Sequence, residues 1–298
     1  MLEAVRQLAL FAVAQTPLIL VGATGTGKTF MARLAHQWSG RRGQFRTVTA
    51  GELRGSLYHD MLFGHEAGAF TGARQRRQGL FGATAGGTLL LDDFHHLSPG
   101  RQTSLLRVLE DGQYTPLGCD RELGVRSRVM LGVREEPGGL VRRGRMLEEI
   151  RSRIGYCAVR LPSLAERRPE IPLFVQRFLA LCPADTGVPG GPRCASEAAL
   201  EVLSAVDLAG NLRDLRNVVR AAYLVAHDRE EIGVEHLPTE VVGLKFVPHQ
   251  RAEANCQAVT GALRRTGGNA SAAARLLGVH RNTVVAAQRR LRQATSAG

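Results

Sequence analysis

Along the chain, apolar residues gather into short uninterrupted runs separated by stretches of helical periodicity. Pro17-Leu18-Ile19-Leu20-Val21 predicts a buried strand, and a glycine-rich turn carries it into Phe30-Met31-Ala32-Arg33-Leu34-Ala35, which predicts a helix. Gly86-Gly87-Thr88-Leu89-Leu90-Leu91 predicts a second buried strand ending in Asp92-Asp93. Val129-Met130-Leu131-Gly132-Val133 predicts a third, ending in Arg134. Residues 1–160 therefore belong to the α/β class, a parallel sheet flanked by helices. Between the first two strands, Gly68-Ala69-Phe70-Thr71-Gly72-Ala73 sets two glycines around a Phe-Thr pair, a poor helix and a good exposed loop tip.

Residues 161–243 read as a separate helical part. Within it Pro183–Pro192 predicts a solvent loop, and Gly233 to Gln250, with two prolines, reads as a linker, which the domain division places at 244–252. Residues 253–298 form a third unit. Glu253 to Arg265 predicts an amphipathic helix with Ala254, Ala258 and Leu263 among its apolar positions. After Gly267-Gly268, Ser271 is placed as an N-cap, Gly278 as a turn, and His280–Leu291 as a final helix suited to the major groove. No repeat of about 20–50 residues appears, which excludes a solenoid.

Composition narrows the classes. At 44% hydrophobic and 22% charged the chain is ordinary globular material, neither disordered nor collagenous. No apolar run approaches the roughly 18 residues of a membrane span, and a start with Glu3 and no signal-peptide layout predicts a cytosolic protein without membrane attachment. Five cysteines without a CxxC pair predict reduced thiols. The net charge of +12 is unevenly spread: Lys245 to the C-terminus holds nine basic residues against Glu253 alone, a net of 9 − 1 = +8. That excess suits a polyanion and predicts salt-sensitive DNA binding. Only two residues of the 39 Lys+Arg are lysines, Lys28 and Lys245.

Lys28 stands in Gly22-Ala23-Thr24-Gly25-Thr26-Gly27-Lys28-Thr29, a G-x-x-x-x-G-K-[ST] loop between strand and helix. Its glycines let backbone N–H groups curl around phosphate oxygens, with the helix N-terminus adding a favourable dipole. A compact ammonium reaches β- and γ-phosphates where a planar guanidinium does not. Thr29 offers a hydroxyl to Mg²⁺. Asp92 is placed to hold the same ion through water, and Asp93 to polarise an attacking water.

The loop string Gly68–Ala73 matches in full the GAFTGA signature of bacterial enhancer-binding proteins, the AAA+ activators of sigma-54 RNA polymerase. Leu62-Phe63-Gly64-His65-Glu66 matches their ELFGHE stretch except that Met61 replaces its first Glu. Leu105–Gly112 resembles KLLRVLQEG, ahead of a second pore loop around Tyr114–Gly118. Leu161–Arg168 resembles LPPLRER, which opens the helical lid, and Gly210–Asn217 resembles the sensor II motif GNVRELRN. The C-terminal unit is similar to a Fis-type helix-turn-helix.

This resemblance implies an AAA+ P-loop ATPase with a helical lid, binding ATP and Mg²⁺, assembled as a ring, in the first instance a homohexamer. It implies that Gly68, Ala69, Phe70, Thr71, Gly72 and Ala73 touch sigma-54 in the polymerase holoenzyme, and that Arg213 lies near the phosphates. Double-stranded enhancer DNA would be read by His280, Arg281, Asn282, Thr283 and Gln288, with Arg289, Arg290 and Arg292 on phosphates. The chain begins about one helix before the phosphate loop, so no N-terminal regulatory domain is expected. Beyond Met61, the ATPase region departs from the family in four further motifs. The Walker B pair is Asp92-Asp93 instead of Asp-Glu; Thr49 stands where an Asn restrains that Glu. The sensor I strand ends in Val133-Arg134 instead of Thr-Asn. Of two arginines in FRxDLxxRL only Arg153 matches, the other falling on Leu147; Arg153 is the expected finger into a neighbouring subunit, a role that contributes roughly 10³–10⁵ in rate. The alternative is a regulator that binds ATP without turnover, or a hetero-oligomer partner of a competent activator. Another remodelling ATPase, such as a helicase loader, would leave the GAFTGA string unexplained.

Overall fold

The computed structural model describes residues 1–53, 55, 57–154 and 156–244. Most of the linker and the whole helix-turn-helix expected at 253–298, with His280, Arg281, Asn282, Thr283, Gln288, Arg289, Arg290 and Arg292, lie outside the described residues.

Five strands form one parallel sheet: β1 (Leu18–Val21), β2 (Phe45–Thr49), β3 (Thr88–Asp92), β4 (Arg128–Val133) and β5 (Ala158–Arg160), in the order β2-β3-β4-β1-β5. The three strands expected from apolar runs are its centre. They are buried on both faces, which is why they read as continuous runs without alternation. Side chains still divide by parity. Ile19, Val21, Leu89, Leu91, Val129, Leu131 and Val133 face one core. Leu18, Leu20, Leu90, Met130 and Val159 face the other.

Helix α1 (Leu2–Ala12) and α2 (Lys28–Trp38) cover the second face through Ala4, Leu8, Met31, Ala32 and Ala35. On the first face lie α3 (Tyr58–Phe63), α4 (Pro99–Glu110) and α5 (Glu148–Ile154). Arg128, at the start of β4, is 1% exposed and forms no ion pair with an acid among the described residues. Its guanidinium instead donates to Phe11 O (2.5 Å), Ala12 O (2.6 Å) and Thr16 O (3.2 Å). A cation there meets the negative end of the α1 dipole and satisfies carbonyls that the helix leaves open. Burial pulls its pKa down to about 10.

The helical part comprises α6 (Ile171–Thr186), α7 (Glu197–Ala205), α8 (Asn211–Val225) and α9 (Thr239–Leu244), packed around their own apolar core. Two loop expectations are corrected here. Pro183–Thr186 continue α6, which ends at Gly187 in the left-handed region (φ 71°), so the loop starts only there. Burial of Leu179 and Cys182 outweighs the backbone donor that Pro183 lacks. Gly233–Leu244 is not a linker: Leu237 and Val241 are buried in the lid core, and Gly233 N donates to His236 Nδ1 at 2.8 Å. Among the described residues no helix is long and apolar enough to cross a membrane.

Candidate functional site

The carboxyl ends of β1, β3 and β4 converge, as ligand sites of open parallel sheets do. From β1 the chain passes through Gly22–Gly27 into α2, whose N-cap Gly27 has φ 103°. Gly25 has φ 75°, and a Cβ on it would lie 1.9 Å from Gly210 O. The loop and the lid therefore touch at a place where only glycine fits. Lys28 Nζ donates to Gly22 O (2.8 Å) and Ala23 O (3.3 Å). Burial lowers its pKa, and the carboxylates of Asp92 and Asp93 oppose that shift. Thr26 is buried, with its hydroxyl donating to Ala23 O at 2.8 Å. A cleft of about 180 Å³ is lined by Thr24, Gly25, Gly27, Lys28, Thr29, Asp92, Asp93, Arg134 and Arg213.

Asp92 ends β3 against Gly132 of β4, where a Cβ would sit 2.2 Å from Asp92 Oδ1. Asp93 takes a left-handed conformation (φ 51°, ψ 36°), unusual for a residue with a side chain. Arg134 grips it with two parallel bonds, Nε to Oδ1 at 3.1 Å and Nη2 to Oδ2 at 3.0 Å. Burial raises the Asp93 pKa, but the Arg134 hydrogen bonds and charge, with Lys28 and His95, outweigh it and hold the carboxyl below its usual value. Two residues on, His95 is 7% exposed and its Nδ1 has no hydrogen-bond partner among the described residues. Burial drops its pKa to about 4.

The lid closes the cleft from the far side. Asn211, at φ 53°, donates from Nδ2 to Thr24 O (2.9 Å) and accepts from Leu164 N (2.7 Å). Leu212 N donates to Gly25 O at 3.1 Å, which brings Arg213 to the cleft. Arg167 is buried, donates to Thr26 O at 3.1 Å and lies over the Phe174 ring at 5.1 Å. Beyond Gly27 and Arg213, which line both, the cleft opens into a largely apolar groove of about 960 Å³ between α1, α2, α6 and α8.

The Gly68–Ala73 segment is a tight hairpin. Gly68 N donates to Ala73 O (2.7 Å) and Ala73 N to Phe70 O (2.9 Å), with Gly68 at φ 85° and Gly72 at φ 103°. Phe70 is 43% exposed, yet its ring sits edge-on to His65 at 4.9 Å. His65 Nδ1 meets Asp60 Oδ1 at 2.5 Å and its Nε2 meets Gln75 O at 3.0 Å, while Arg77 donates to Asp60 Oδ2 at 2.6 Å. The second expected loop abuts the first. Leu117 N donates to Gly64 O (2.9 Å), Glu66 N donates to Leu117 O (3.0 Å), and a Cβ on Gly118 would lie 2.6 Å from that of Ala69.

Residues 1–160 match the Sigma-54 interaction domain family, residues 165–254 an AAA+ ATPase lid domain, and residues 250–291 the bacterial regulatory protein, Fis family. The chain belongs to the Sigma-54 interaction domain family. It is 33% identical over 291 residues to the transcriptional regulatory protein ZraR of Escherichia coli K12, covering 94% of this chain and 64% of that protein. It is 34% identical over 242 residues to the DNA-binding transcriptional regulator NtrC of Azospirillum brasilense, covering 81% and 50%. The crystal structure of NtrX from Brucella abortus in complex with ATP superposes with a TM-score of 0.71 at 26% identity, covering 98% of this chain and 67% of that one. The chain thus spans less than two thirds of the length of the curated relatives named here.

Within this Sigma-54 interaction domain, two residues have partners other than those expected from the family pattern. Thr49 pairs in register with Asp92, not Asp93, and its hydroxyl donates to Glu52 Oε1 at 2.8 Å. The partner of Asp93 is Arg134, directly after the neighbouring strand β4. In the sequence Arg134 stands where the family has the sensor I Asn; the signal for its role is an arginine at the end of the strand adjacent to a shortened acid. Arg153, on α5, is exposed and donates to Leu109 O (3.2 Å) and Glu110 O (2.7 Å) at the end of α4 of its own chain. Asn211 and Arg167 were not singled out from sequence, although both belong to motifs that were.

Proposed function

We propose that this chain is a sigma-54-dependent transcriptional activator: an ATP-driven remodeller of the polymerase closed complex, tethered to enhancer DNA in the cytoplasm. The observation that carries the reading is the single cleft in which Lys28, Thr29, Asp92, Asp93 and Arg213 meet. Its size suits a polyphosphate, and the adjoining groove suits a purine base. Gly22–Gly27 would wrap the β- and γ-phosphates with backbone N–H groups, while Lys28 would leave its loop carbonyls for them. Arg213 would add a cation from the lid. Thr29 and Asp92 are hard oxygen donors lining one cleft and fit Mg²⁺, which would neutralise phosphate charge. Asp93 would orient the attacking water. Arg153 would exchange its α4 carbonyls for a neighbour's nucleotide in a ring, best read as a homohexamer.

Coupling to the polymerase would run through backbone. Ala50 N donates to Asp92 O at 3.0 Å, and the segment beginning there leads through α3 to the Gly68–Ala73 hairpin. A nucleotide shifts the hairpin only so far as it binds its two states unequally, and the γ-phosphate at Asp92-Asp93 would be that discriminator. Phe70 and Thr71 would then touch sigma-54. Residues His280, Arg281, Asn282, Thr283, Gln288, Arg289 and Arg290 would hold the enhancer.

A second reading keeps binding and drops turnover. It is favoured by the Arg134 clasp, which occupies both oxygens of Asp93. ATP hydrolysis and open-complex formation with sigma-54 holoenzyme separate the two. The activator reading expects turnover that Lys28→Ala abolishes, and expects Thr71→Ala to retain turnover while losing open complexes. ATP binding without turnover above the Lys28→Ala background would establish the second reading.

A further inference from the structure

Directly after β3 the chain makes one 3-10 turn, Phe94–His96, with Asp93 as its N-cap in the left-handed region. The turn brings three ligating side chains together. Asp93, His95 and His96 each place one ligand atom within 4.8 Å of the other two, and the two imidazole rings lie 4.2 Å apart. Neighbouring histidines on a turn are ordinarily solvated, and His96 is. His95 is not. It is 93% buried by its 7% exposure, and its Nδ1 is sealed from solvent without a hydrogen-bond partner among the described residues. Leaving such an atom unpaired is unfavourable, so its retention calls for a compensating ligand.

We propose that Asp93, His95 and His96 form a binding site for a divalent transition-metal ion of the Zn²⁺, Co²⁺ and Ni²⁺ class, separate from the Mg²⁺ that would accompany a nucleotide. Two imidazole nitrogens and one carboxylate oxygen suit such ions, whereas Mg²⁺ prefers an all-oxygen octahedron and competes poorly. Three protein ligands leave a coordination position for water, and the exposed ring of His96 gives the ion access from solvent. Arg134 faces the same carboxylate and opposes the cation. The clasp is solvent-exposed on the arginine side, 45% for Arg134 against 31% for Asp93, so a metal competes with a weak ion pair.

Occupancy would have a consequence. An ion drawing Asp93 toward His95 and His96 would take it from Arg134 and from the phosphate cleft, so ATP turnover would fall as the metal binds. This consequence rests on the nucleotide reading above; binding of the metal does not.

The test uses the full chain, stripped with chelator and kept in Mg²⁺. Zn²⁺ is titrated against a chromophoric chelator, and Co²⁺ is followed by its visible ligand-field absorption. The expected result is one tightly bound ion per chain that Mg²⁺ does not displace. His96→Ala, at an exposed position where folding is not at stake, should weaken binding by at least the roughly 10- to 100-fold that a lost supporting partner costs at a metal site. His95→Ala with His96→Ala should abolish it, and Lys28→Ala should leave it intact. Absence of such an ion, or one whose affinity ignores both histidine variants, overturns the site. If wild-type protein fails to hydrolyse ATP, the nucleotide reading suffers and the titration stands unaffected.

Discussion

The phosphate cleft and the Gly68–Ala73 hairpin belong to the same α/β unit but are put together differently. The cleft draws its lining from separate stretches of chain, and its charges neutralise each other across strands: Lys28 with Asp92 and Asp93, Asp93 with Arg134. The hairpin tip is a local structure closed by backbone bonds, and its charge pairing lies beneath it in Asp60, His65 and Arg77. A cleft assembled from several elements can absorb a substitution, because a new counter-charge can arrive from another strand. A tip whose outer face must meet a partner has no such recourse. This fits where the chain departs from the family pattern: around the cleft at Asp93, Thr49 and Val133-Arg134, elsewhere at Met61 and Leu147, and nowhere in the six residues of the tip.

The largest test falls beneath the hairpin. Asp60→Ala breaks a buried pairing and leaves His65 and Arg77 without their acceptor, which should cost about 3 kcal/mol in chemical denaturation and expose the tip to proteolysis. Wild-type stability in that variant would mean the tip is held by its backbone alone. A second test concerns the turn beside the cleft. His95 has a folded pKa of about 4 against an ordinary 6.5. The unfolded chain therefore takes up the proton first, and stability should fall as pH drops from about 6.5 to about 4. With solvent screening the loss should be about 1–2 kcal/mol in chelator-treated protein. His95→Gln should flatten that slope; an unchanged slope would place the titration elsewhere.

Arg134→Ala asks whether the cross-strand clasp helps or hinders. As a support for Asp93 its loss should lower ATP turnover about ten-fold, equivalent to about 1.4 kcal/mol. A rise would instead identify the clasp as a restraint on an idle acid. The smallest effect is expected at Thr49. Since its hydroxyl serves Glu52, Thr49→Ala should change turnover by less than about two-fold and stability by within about 0.5 kcal/mol. A loss as large as that of Arg134→Ala would return Thr49 to the role assigned from sequence.

Much of this was legible along the chain because the signals are local. Buried parallel strands announce themselves as apolar runs, and the phosphate loop requires glycine and lysine at fixed spacing. What misled was also local. Proline at 183 and glycine at 233 are breakers by themselves, yet packing of Cys182, Leu237 and Val241 held helix or turn there. The family pattern implies Thr49 as the partner of the second acid, whereas register sets Thr49 against Asp92 and leaves Asp93 to Arg134 after β4.

By itself the sequence determined the α/β class, the position of the phosphate loop, the two acids after it, the exposed GAFTGA tip and the basic C-terminal end. Each of these follows from residue type and spacing within a few positions. Only the tertiary structure decided which cation clasps Asp93, which glycine must yield to the lid, and that His95 is buried with an unpaired nitrogen. Those facts depend on which strands lie side by side and on what the lid covers, and burial converts such neighbours into energies that a linear pattern does not carry.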